Sequence, residues 1–255
     1  YVLGAKYGLW KTSQAAMSND NLGTTSVEFA SREGMEEPFG DYYLVADISA
    51  IPTTREYEAI EGLTIGNGSV TPKKIYLAVD IDKICYVVQP NGAVLTSTAG
   101  VIDANWTGST GKVKLVVPKN TQILRLGNAI NGIDYIGVVR TDLYLTSYDA
   151  RSSGISETYV NNADSVNVAS SPYLEVLEAN NAVSLTASNC ALTAKSLGDF
   201  LLAAIANNRT FAGTLIATNG TNATTTEINA YLVSQGTTLN AVIAQLATWA
   251  ITLKP

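Results

Sequence analysis

Leu185-Thr186-Ala187-Ser188-Asn189-Cys190-Ala191-Leu192 is the stretch on which the fold turns. Leu185 and Ala187 alternate with polar residues, the period of a strand with one buried face. Cys190 then stands where a turn folds its backbone inward and buried polar groups must find partners. Leu192 closes the unit, which fits L-x-L-x-x-(N/C)-x-L with Ala187 in place of the second leucine. The chain next reads as a helix. Leu197, Phe200, Leu201, Ala204 and Ile205 fall on one face, Thr193 or Ser196 can cap it, and Asn207-Asn208 ends it.

The following unit keeps this order. Leu215-Ile216-Ala217 is its strand, and Gly220 takes the inner-turn position. Thr224 and Glu227 have capping-box spacing ahead of Ile228, Tyr231 and Leu232, and Gly236 should stop that helix. Thr238 can start a last helix with Leu239, Val242, Ile243 and Leu246, before a final strand over 249–253. Toward the N-terminus, Leu124-Arg125-Leu126, Leu143-Tyr144-Leu145 and Val166-Asn167-Val168 read as earlier strands. First positions are separated by 19, 23, 19 and 30 residues, near the roughly 20–29 of leucine-rich repeats. One such unit is too thin to bury its own apolar face, so the units are expected to stack.

Upstream the period changes. Residues 42–46, 75–81, 84–88 and 112–117 are β-branched and aromatic runs, and Pro90-Asn91-Gly92 marks a tight turn. The expected fold is mainly β with some α. An antiparallel sandwich- or barrel-like region precedes an irregular leucine-rich-repeat-like α/β solenoid. The expected divisions are an N-terminal arm or edge segment over 1–34, a β-rich assembly domain over 35–119 and the solenoid over 120–255, best supported over 183–253. Tyr7, Leu9 and Trp10 form a small apolar cluster in the arm.

On Leu185–Leu197, the helix through Asn208, Gly213–Ala223 and the closing Leu246-Ala247-Thr248-Trp249-Ala250-Ile251-Thr252, the segment Val183–Leu253 resembles a known module. It is the leucine-rich-repeat-like C-terminal module of Bacteroidetes surface proteins and of phages infecting those bacteria. Thr248 stands where that module usually has Gly. The resemblance implies a protein exposed outside a cell. The first expectation is a non-enzymatic bacteriophage virion structural protein: a head-decoration, fibre or tail component mediating assembly or host-surface contact. The alternative is a secreted or cell-surface bacterial adhesion or glycan-binding protein. Its expected location is accordingly the virion, or else the extracellular space or the bacterial surface. Expected partners are other copies of the chain, neighbouring virion or surface proteins, and a host-surface glycan or protein.

Composition narrows the chemistry. Hydrophobic residues make up 46% and charged residues 15%, enough apolar material to offset the entropy of ordering. The net charge is -6, and no Lys/Arg cluster is present to neutralise phosphates. Nucleic acid is therefore not an expected partner, and neither is a membrane span, since no apolar run approaches the roughly 18 residues needed. The chain starts at Tyr1 and shows nothing like a signal peptide.

Histidine is absent, which removes His-based triads, His metal sites and the commonest general base. No catalytic residue, cofactor or metal ligand is expected. Cys85 and Cys190 read as buried small hydrophobes, with one long-range disulfide as the alternative. Asp80 and Asp82 have the spacing for Ca²⁺ with carbonyl help, but a solvated strand edge and turn is the stronger reading. Glu33, Glu36 and Glu37 read as an acidic loop. Asn67, Asn105, Asn208, Asn219 and Asn222 open N-x-S/T triplets, which a chain this rich in Asn and Thr produces by chance. Trp10, Tyr42, Tyr43, Tyr144, Tyr148 and Tyr173 read as packed on sheet faces. Trp106, within Asn-Trp-Thr-Gly, reads as a loop residue open to a ligand.

Overall fold

In each three-residue strand from Ile123 onward the central residue is apolar or aromatic and buried. A computed structural model describes residues 2–4, 8–12, 27–28, 57–127, 133–207 and 212–255. They fall into two units, Tyr1–Tyr57 and Glu58–Pro255. In the first, β1 (Val2–Gly4), β2 (Gly8–Thr12) and β3 (Val27–Glu28) form an antiparallel sheet in that order. The expected strand at 42–46 and the acidic loop lie outside the described residues.

The second unit is mainly β, with 15 strands in two mixed sheets and three helices. Its first strands are β4 (Tyr57–Ile65), β5 (Lys73–Ala78), β6 (Tyr86–Val88), β7 (Val94–Thr96), β8 (Val101–Trp106) and β9 (Gly111–Pro118). Here β5 pairs with β8, and β6 with β7 and β9, all antiparallel. The expected turn is present: Gly92 has φ +83°, and Asn91 Oδ1 accepts the Ala93 amide at 3.0 Å between β6 and β7. The strand expected over 75–81 stops at Ala78, because the Lys83 amide folds back to the Asp80 carbonyl at 2.9 Å.

Then come β10 (Ile123–Arg125), β11 (Ile133–Arg140), β12 (Ser147–Asp149), β13 (Ser153–Tyr159), β14 (Ser165–Asn167), β15 (Val176–Glu178) and β16 (Ser184–Thr186). They alternate between the two sheets. β10, β12, β14 and β16 run parallel in one, and β11, β13 and β15 run parallel in the other. β17 (Thr214–Ala217) and β18 (Ala250–Leu253) extend the first sheet in the same sense. Both sheets continue into the antiparallel region, through β10–β5 and β11–β4.

In register, Leu124, Tyr148, Val166, Leu185, Leu215 and Ile251 form one inward column. All but Ile251 are at most 1% exposed, and burying each such side chain stabilises the fold by about 2 kcal/mol. The second rung is Tyr148, not the expected Leu143-Leu145 pair. Those leucines are buried too, but in the preceding turn, where Leu145 bridges Ala163. Two apolar residues at alternate positions thus mimicked a strand that begins four residues later.

In place of further strands of the second sheet come α1 (Ala194–Ala206), α2 (Thr225–Ser234) and α3 (Leu239–Gln245). Thr193 caps α1, and Thr224 with Glu227 closes the capping box of α2. Ser196 explains why the second sheet stops at β15. Its hydroxyl accepts the Leu177 amide at 3.3 Å and donates to the Glu175 carbonyl at 3.0 Å, occupying the strand's backbone groups with a helix. Ile243, expected on the inner face of α3, is 39% exposed, and Leu239 and Val242 carry that contact. β4 and β11 were illegible as strands because each holds a glycine. Gly62 and Gly137 lie face to face, and a Cβ on Gly137 would stand 2.2 Å from the Gly62 carbonyl.

Candidate functional site

The inner turns answer the question that Cys190 raised. The Ser171 hydroxyl donates to the Ala150 carbonyl at 3.0 Å, the Cys190 thiol faces the Val168 carbonyl at 3.0 Å, and Asn222 Nδ2 donates to the Ala187 carbonyl at 2.7 Å. Each acceptor lies two residues past the inward residue of the neighbouring parallel strand. Asn222 Oδ1 also accepts the Leu192 amide at 3.0 Å. Asn222, not Gly220, therefore holds the inner-turn position. Gly220 instead makes the close approach, since a Cβ there would lie 2.7 Å from the Cys190 carbonyl. Burial pushes the Cys190 thiol up to about 11, opposed by a backbone hydrogen bond at Ser171. Both cysteines are free and buried.

A polar surface depression lies where β11, β13 and β15 end. Their register sets Arg140 beside Tyr159 and Tyr159 beside Glu178. The Arg140 guanidinium carbon sits 4.1 Å from the centre of the Tyr159 ring, and its nitrogen is 3.9 Å from Glu157. The Tyr159 hydroxyl donates to Glu157 at 2.8 Å, a bond that raises the phenol above its ordinary value. Glu58, from β4, accepts the Thr141 hydroxyl and the Asp142 amide. Glu58, Arg140, Thr141, Asp142, Tyr159, Asn161 and Glu178 line an open depression of about 600 Å³. Its polar groups are mostly acceptors, with one guanidinium and one phenol. Such a surface can hold hydroxyl or amine donors. No motif announced these residues. Only parallel register brings positions 19 apart in sequence side by side.

The residues singled out by sequence lie elsewhere. Asp80 Oδ2 accepts the Gln122 amide at 2.9 Å and lies 3.9 Å from Lys83, tying a turn to the chain before β10. Asp82 is exposed in that turn. Trp106 is 6% exposed at the end of β8, with its indole N–H donating to the Ser109 carbonyl at 3.0 Å. The open-loop expectation for Trp106 is thus overturned, because the loop after it folds back over the ring. Tyr148 is fully buried, whereas Tyr144 and Tyr173 are 80% and 65% exposed and are not packed on a sheet face. Of the N-x-S/T asparagines, Asn222 is 1% exposed, out of reach of any modifying enzyme.

Among the described residues, no group of three or more His, Cys, Asp or Glu is placed to hold a metal ion. No described helix is long and apolar enough to cross a membrane. No family model, curated protein or solved structure matches the chain.

Proposed function

We propose that this chain is a non-enzymatic structural protein of a bacteriophage particle, a head-decoration, fibre or tail component built on a leucine-rich-repeat-like solenoid. The parallel register of Leu124, Tyr148, Val166, Leu185, Leu215 and Ile251 carries this reading. A stack of coils presents long, rigid faces and needs no catalytic cleft, which suits assembly and surface contact. Its partners are then other copies of itself and neighbouring virion proteins, and repetition on a particle makes weak contacts effective. Negative-stain imaging of the purified full chain, with immunogold labelling of particles grown on the source host, tests this. Ordered multimers and labelled particles are expected. A chain that stays monomeric and leaves particles unlabelled overturns it.

The second reading is a secreted or cell-surface adhesion or glycan-binding protein. The depression around Arg140 and Tyr159 favours it, because carboxylates, an amide and a phenol suit the hydroxyls of a sugar. Binding of the full chain to immobilised host-surface glycans, lost on Glu178→Ala, is its expected signature. Equal retention of the variant and the parent chain counts against it.

A further inference from the structure

Three Asn-Gly pairs lie among the described residues, at 67–68, 91–92 and 219–220. In such a pair the glycine amide nitrogen can attack the asparagine side-chain carbonyl carbon. The new C–N bond closes a five-membered succinimide and ammonia leaves with the side-chain nitrogen. Water then opens the ring to aspartate or isoaspartate. One water is consumed, one ammonia is released, and nothing is oxidised or reduced. Glycine favours the attack because it lacks a Cβ to hinder it. The fold controls it, because a nitrogen or side chain held in a hydrogen bond must first be released.

At two pairs the reacting groups are held. The Gly68 amide donates to the Gly108 carbonyl at 3.2 Å, and Asn67 Oδ1 accepts the Ser69 amide at 2.9 Å. The Gly92 amide donates to the Gln89 carbonyl at 2.9 Å, and Asn91 Oδ1 accepts the Ala93 amide at 3.0 Å. At the third pair neither is. Among the described residues, the Gly220 amide has no hydrogen-bond partner and the exposed Asn219 side chain has none. Lys254 Nζ donates to the Gly220 carbonyl at 3.1 Å, so Gly220 is held through its carbonyl and not through its amide.

We propose that Asn219-Gly220 is a spontaneous modification site, converting to aspartate or isoaspartate ahead of the other two pairs. The repeat supplies its own control. Ser152, Ser170, Asn189 and Asn219 each lie four residues past the inward strand residue and share a left-handed backbone, with φ of 56°, 62°, 58° and 61°. Asn189 has this geometry but is followed by Cys190, whose side chain hinders the attack. An isoaspartate at 219 lengthens the main chain by one carbon just before Thr221 and Asn222. Those residues tie this coil to the previous one, through the Cys190 carbonyl at 2.9 Å and the Ala187 carbonyl at 2.7 Å.

The test is peptide mapping by mass spectrometry of the full chain aged at mildly alkaline pH, native and in urea. Unfolded, the three described Asn-Gly pairs should convert at similar rates. Folded, Asn219 should reach half conversion while Asn67, Asn91 and Asn189 keep their amides. Conversion of Asn67 or Asn91 in the native chain as fast as Asn219 overturns the proposal. So does an Asn219 that the fold protects as strongly as the others.

Discussion

At the scale of single residues, Asn222 shows how a buried polar side chain serves a parallel sheet. It satisfies the Ala187 carbonyl and the Leu192 amide, from a position 1% exposed. Asn222→Ala leaves both without a partner and should cost about 2 kcal/mol or more, read as a lower midpoint in urea with an unchanged slope. Cys190 makes a parallel point about reactivity. Its thiol is buried and its ionisation is pushed up to about 11, so the thiolate that alkylating reagents need is scarce at neutral pH. Iodoacetamide should leave Cys190 and Cys85 unmodified in the native chain and label both in urea. Rapid labelling of Cys190 in the native protein would contradict its place inside the turn.

At the scale of elements, the helices are fixed by local chemistry that the sequence displayed. Thr193, Thr224 and Thr238 each cap a helix through the side-chain oxygen, and Thr224→Ala should cost about 1 kcal/mol. In the capping box, the Thr224 amide and then its hydroxyl hold the Glu227 carboxyl below its ordinary value. A depressed folded value means that the contribution is present above the unfolded value and fades as pH falls through the folded one. Thermal melts of the parent chain and Glu227→Gln should therefore diverge at neutral pH and converge in acid. Curves separated equally at all pH values would refute this role. The strands were less legible than the helices. A three-residue strand such as Ser147–Asp149 carries too little alternation to stand out from Leu143 and Leu145 beside it. Trp106 misled for a similar reason: a loop-like neighbourhood in sequence folds over its own ring.

At the scale of the whole second unit, one hydrophobic cluster runs from Ile60 to Trp249 without interruption. Leu77, in the antiparallel region, and Leu185, in the parallel region, are both fully buried in it. Leu185→Asp and Leu77→Asp each bury an unpaired charge, and each should abolish the same thermal transition. Two separable transitions, one lost in each variant, would show that the regions fold apart.

The sequence by itself determined what local spacing can encode: the alternation at Leu185 and Leu215, the helix caps, the tight turn at Asn91-Gly92, and the lack of histidine chemistry. Tertiary structure decided what depends on register across many residues. It set Tyr148 as the second rung, chose Asn222 over Gly220 for the inner turn, and brought Arg140, Tyr159 and Glu178 together from three parallel strands. A parallel ladder aligns residues that lie many positions apart in sequence. The spacing between paired strands varies with the turns and helices between them, whose sizes no short-range pattern records.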